Sequence, residues 1–171
     1  MNRMLRHVLD EEDRGLVLAM NAFVEDALRR LLLTYMRPGK TTIDLLDGFN
    51  APLGTLAARI KACSALGLLH PIQLADLELA RKVRNQFAHG WEPCSLSEPK
   101  IAALVERMSG DRFLGGAEET LKKRFHSTLL CALTEMESLR QRLQEANQRL
   151  PALAYRLVAA DPAADHRPST A

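Results

Sequence analysis

Arg84 and His89 stand five residues apart in the run RKVRNQFAHGW, and they are the residue types that handle phosphates without a metal. A guanidinium can hold a phosphate by two parallel hydrogen bonds. An imidazole titrates near neutrality, so it can give or take a proton at ordinary pH. Asn85 stands next to the arginine and could orient either group. Together these are the parts of a metal-independent ribonuclease. The ribose 2′-hydroxyl would attack the adjacent phosphate, the histidine would move protons, and the arginine would stabilise the growing charge. The same residues also have a structural reading. Arg84 would pair with Asp76 or Glu25 and fix helix register. His89 would do no more than bond the last carbonyls of its helix.

The helix presenting these groups should open at Pro71, whose missing N–H suits a first turn, and run to about Ala88, with Gly90 as its stop. Ile72, Leu79, Ala80, Val83 and Phe87 share one apolar arc of that helix. Asp76 falls inside the arc and Arg84 at its edge, and either is costly to bury without a partner. Asn85 and His89 lie one turn apart, on another side from Arg84. For all three to meet one ligand, the arginine must wrap round, the helix end must fray, or a second chain must contribute. The negative end of the helix dipole favours a protonated His89 by ~0.3–1 kcal/mol, and by up to ~2 when partly buried. RNA would further need a basic groove, built from residues such as Arg59, Lys61, Arg81, Lys82 and Arg84.

The elements around that helix point to an all-α fold, a bundle of about five helices. Aromatic residues make up only 5% of the 171, while Leu and Ala abound, which favours helices over strands. A first helix is expected from about Glu11 to Met36, capped by Asp10, with most of its surface buried. Lys40 to Ala51 reads as a loop with a short helical turn at Ile43 to Leu46. A second helix follows over about Leu53 to Leu68, and a shorter one over Pro99 to Met108, with Ser95 to Glu98 as its cap. The last helix, about Ala117 to Leu150, is long.

In it Leu129, Ala132, Met136, Leu139, Leu143, Ala146 and Leu150 follow a 3, 4, 3, 4, 3, 4 spacing. That seam serves either packing within the bundle or a homodimer contact, because both use the same period. Residues 1–158 are expected to form one helical domain, and 159–171, rich in Ala, Asp and Pro, a disordered tail.

Several functions are argued against. A formal charge of +2 is too small for bulk capture of DNA, and no helix-turn-helix offers side chains to base edges, so direct sequence-specific DNA reading is not expected. Gly39-Lys40-Thr41 lacks the earlier glycine and the strand of a P-loop. The five histidines and three cysteines show no metal-ligand spacing, so no metal and no cofactor are expected. No run is long enough to cross a bilayer and none reads as a signal peptide, which makes the cytoplasm the expected address and a membrane partner unexpected.

Arg84-Asn85-Gln-Phe-Ala-His89 fits the R-x4–6-H signature of the HEPN superfamily, including its Arg-Asn opening. Asp13-Arg14-Gly15, the segment PLGTLAARIKACSALGLL from Pro52 to Leu69, and Asp76-Leu77 ahead of RKVRNQFAH together resemble the mannitol operon repressor (MltR-like) family, which is related to HEPN domains. The resemblance spans roughly Asp13 to Val105. It implies a HEPN-like helical bundle, often dimeric. Carried over residue by residue, it implies Arg84 and His89 as catalytic and Asn85 as supporting in a ribonuclease, a toxin or defence effector. Glu25 and Asp76 would support the arginine, and Arg81 and Lys82 would touch RNA. The mannitol operon repressor side implies a different role, transcription regulation or interaction through protein partners.

Overall fold

The computed structural model describes residues 12–89, 94–112 and 120–147. Among the described residues the chain forms six helices and no strand. These are α1 (Asp13–Tyr35), α2 (Lys40–Leu46), α3 (Leu56–Ala65), α4 (Pro71–His89), α5 (Pro99–Glu106) and α6 (Leu121–Glu145). The expected Asp10 cap and the tail 159–171 lie outside the described residues. The helix beyond the five expected is α2, a seven-residue segment where the sequence suggests a loop with one turn. A helix that short has no stability of its own and must be held by its neighbours.

Helix ends follow local chemistry. Thr55 and Thr120 accept from the backbone N–H groups of Ala58 and Lys123, opening α3 and α6. Ahead of α5, Ser95 N–H donates to the Glu98 carboxylate at 3.0 Å while Glu98 N–H donates to Ser95 O. Asp13 spends its carboxylate on Ser95 Oγ and Leu96 N–H, tying the first turn of α1 to that loop. At the α3–α4 turn, Gly67 takes a φ of +70°, a left-handed value that L side chains adopt at a cost.

α1 and α6 are the principal pair of the bundle, with α4 packed against both. Leu16, Met20, Leu28, Leu31, Leu32, Phe87 and Phe125 are fully buried where these helices meet. The heptad seam is used here. Leu129, Ala132, Met136 and Leu143 are buried in the chain's own core, and Leu139 packs against it half-buried. Ala146 is exposed, and Leu150 lies outside the described residues. From Leu129 to Leu143 the seam therefore packs the bundle.

Cys63 lies fully inside this core, and burial pushes its thiol up to about 12. Below roughly pH 8.5, the ordinary thiol value, the group is protonated in both folded and unfolded chains and stability does not depend on it. Above that value the unfolded chain releases its proton first, so stability falls until the folded thiol also ionises. At pH 10 the expected loss from this residue is about 2 kcal/mol relative to pH 7. Urea midpoints at the two pH values for wild type and Cys63→Ala provide the check. The variant should lose about 2 kcal/mol less between them, and equal losses would remove the claim.

Candidate functional site

α4 is a continuous helix to His89, so the spacing fixes where its side chains leave the axis. Asp76, Leu77, Leu79, Ala80, Val83 and Phe87 are buried. Ile72, expected inside the apolar arc, is instead 47% exposed at the first turn, where the bundle has not yet closed over the helix. Arg84 is half-buried at the rim, and Asn85 and Lys82 are exposed. His89 is the last helical residue, about 7.5 Å further along the axis than Arg84 at ~1.5 Å rise per residue. Its side chain lies outside what the structure describes.

Neither acid proposed to support Arg84 does so. Asp76, only 2% exposed, accepts from Ser109 N–H at 2.9 Å, from Ser109 Oγ at 2.6 Å and from Arg112 Nη1 at 2.8 Å. Glu25 turns to Arg59, 3.5 Å from its Nη1. Helical geometry explains the first result. Two turns separate Asp76 from Arg84 on one helix, whereas the loop after α5 brings Arg112 directly onto the acid. Arg84 makes no hydrogen bond or ion pair with another described residue. Arg81 is engaged by Glu78 at 2.8 Å, which neutralises part of the basic surface expected for RNA, while Lys82 stays exposed.

Arg59 leaves the proposed basic groove altogether. It is 7% exposed and points inward. Nε donates to Leu53 O at 2.9 Å, Nη2 to Leu46 O at 2.8 Å and Nη1 to Glu25 O at 3.3 Å. Asp47 lies 3.8 Å from the same guanidinium and is itself gripped by Arg29 through both carboxylate oxygens. The Arg29 fork, aided by Arg59, holds the Asp47 carboxyl below the usual range.

A second polar cluster was not foreseen from the sequence. Arg112 bonds Asp76 on one side and forks onto Glu135 of α6 on the other, at 2.8 and 3.2 Å. Gln73 Nε2 donates to the same Glu135 at 2.7 Å and its Oε1 accepts from His70 N–H at 2.8 Å. Burial weakens the charged form of Arg112, but the Glu135 fork and the Asp76 charge outweigh it and hold the guanidinium protonated. A cleft of ≈ 430 Å³ opens beside this cluster, between the α3–α4 turn and α6, with His70, Gln73, Glu135 and Arg142 on its walls. It lies at the start of α4, about 20 Å along the helix from Arg84 at ~1.5 Å per residue. Among the described residues no group of His, Cys, Asp and Glu is arranged to hold a metal. No described helix is long and apolar enough to cross a membrane.

Comparison with known proteins fits this architecture. No protein-family model matches the chain, and no curated protein matches it. Among solved structures, a chain of the MtlR–HPr complex from Escherichia coli is similar, with a TM-score of 0.60 at 20% identity. The likeness covers 81% of this chain and 96% of that one. The protein therefore has an MtlR-like fold, supported by this solved neighbour.

Proposed function

We propose that this chain is a regulatory protein of the mannitol operon repressor kind that works by binding protein partners, an HPr-like protein among them. The observation that carries the reading is the likeness over 96% of a chain that belongs to a complex with HPr. The near-neutral charge supports it, since a formal +2 offers little to a nucleic-acid backbone. Calorimetric titration with purified HPr is the test. A saturable complex is the expected result, and no heat of binding up to about 100 μM, a range that still detects weak signalling contacts, would refute the reading.

One observation favours a second reading, the metal-independent ribonuclease. Arg84 is not sealed by Asp76 or Glu25, and Asn85 beside it is exposed. In that chemistry the 2′-oxygen bonds to phosphorus as the bond to the 5′-oxygen breaks. His89 moves the protons, and Arg84 holds the phosphoryl oxygens. RNA incubated with the protein in a chelator is the assay. Cleavage lost at least ~100-fold in Arg84→Ala and in His89→Ala is expected. Cleavage that persists in both variants would rule this chemistry out.

A further inference from the structure

Phe49 is 98% exposed, in a protein whose other large apolar side chains are mostly packed away. It sits in the turn that follows α2, between Gly48 with φ +108° and Asn50 with φ +63°. Both flanking residues are in the left-handed region, which glycine and asparagine enter most cheaply. The turn is anchored from several sides. Ala51 N–H donates to Gly48 O, Gly54 N–H to Ala51 O, and Leu53 N–H to Leu45 O at 2.8 Å. Gly54 lies so close to Ala51 that an added Cβ would stand 3.0 Å from the Ala51 oxygen, so this return cannot carry a side chain without shifting. Asp47, the residue before Gly48, is forked by Arg29 and approached by Arg59. The phenyl ring is thus displayed by a fixed backbone.

The segment that carries it is electrically quiet. The segment from Lys40 to Gly54 carries three charged side chains, Lys40, Asp44 and Asp47. Lys40 pairs with Asp44 at 2.7 Å, and Asp47 with Arg29. Ile43, on the same segment, is 52% exposed, and Pro52 is exposed as well. A rigid aromatic on an apolar, charge-balanced knob is the kind of group that dominates protein interfaces, because ordering it costs little and burying it releases much water. Nucleic acid would want the reverse, unpaired cations around a stacking ring.

We propose that Phe49 is the anchor of a protein-docking knob, received by an apolar pocket on the partner, with Ile43 as the adjoining contact. This rests on the protein-partner reading above and gives it a location. The knob is separate from Arg84, which stands on α4.

The test is calorimetric titration of purified HPr into wild type, Phe49→Ala and Phe49→Trp, at about 50 mM and about 500 mM salt, a span that removes most surface electrostatics. Phe49→Ala should bind at least about tenfold more weakly, equal to about 1.4 kcal/mol, and Phe49→Trp should bind close to wild type. Affinity should change little with salt. The thermal midpoint of Phe49→Ala should match wild type, because the ring is 98% exposed. If Phe49→Ala binds HPr as wild type does, the knob is wrong and the partner reading stands. If wild type does not bind HPr at all, the partner reading fails and this assignment falls with it. Binding lost at high salt would mean that charges carry the contact, which also overturns the proposal. A wild type that self-associates in sedimentation, with Phe49→Ala monomeric, would assign the knob to a second copy instead.

Discussion

Arg59→Met should lower stability by about 3–5 kcal/mol, the cost of removing one member of a buried charged network. Methionine keeps most of the aliphatic stem, so the loss comes from the guanidinium and not from a cavity. Arg59 joins three parts of the chain that are distant in sequence: Glu25 on α1, Leu46 at the end of α2 and Leu53 before α3. Without it, three backbone carbonyls lose a donor, and the Glu25 carboxylate loses its cation. Arg59→Lys should recover only part of the loss, because one ammonium cannot match three divergent acceptors. Urea unfolding measures the stability change. Amide exchange locates it, with faster exchange expected first at Ile43 and Asp47, whose N–H groups donate to Gly39 O and Ile43 O. An Arg59→Met protein within about 1 kcal/mol of wild type would show that the guanidinium adds no net stability beyond its own desolvation cost.

Arg59 invites a reading as part of a basic groove because it is a cation two residues from Lys61. Its spacing said otherwise: Arg59 lies three residues after Leu56 and four before Cys63, in the stripe that faces the core. Other features were readable because they depend on neighbours a few residues away. Pro71 and Pro99 open α4 and α5, and the long apolar stripes of α1 and α6 need only the helical period. The seven residues of α2 are too few for a period to show, and their stability comes from Arg59 and Arg29, which the local sequence does not reveal. Phe49 is a single phenylalanine between glycine and asparagine, and nothing local states whether it turns in or out.

The candidate site divides along the same line. That Arg84 sits at the rim of α4, with Asn85 on another side, follows from helical geometry, and both positions are as the spacing requires. Asp76 is legible in the sequence as an acid in an apolar arc that must find a cation. Which cation was beyond the sequence, because the answer depends on how the loop after α5 folds back over α4. The consequence for Arg84 is direct. Once Arg112 takes Asp76 and Arg59 takes Glu25, the α4 arginine is left at the surface with neither acid as its partner.

Asp76→Ala should cost about 3 kcal/mol, near the lower end for breaking a buried ion pair, because Arg112 keeps its fork on Glu135. The acid links α4 to Ser109 and Arg112, and Arg112 passes that link on to α6, so the pair fixes the rotation of α4 between its neighbours. Asp76→Asn keeps the shape and one acceptor for Ser109 N–H but places an amide N–H where Arg112 also donates. It should lose about 1.5–3 kcal/mol, one charged hydrogen bond's worth. The decisive measurement is a double-mutant cycle of Asp76→Ala with Arg112→Ala, read by urea unfolding. A coupling energy of about 1–3 kcal/mol is expected for groups sharing one network. Coupling near zero would mean that the two side chains stabilise the bundle independently. The orientation of α4, and with it the outward position of Arg84 and Asn85, would then rest on the apolar contacts of Leu77, Ala80, Val83 and Phe87 alone.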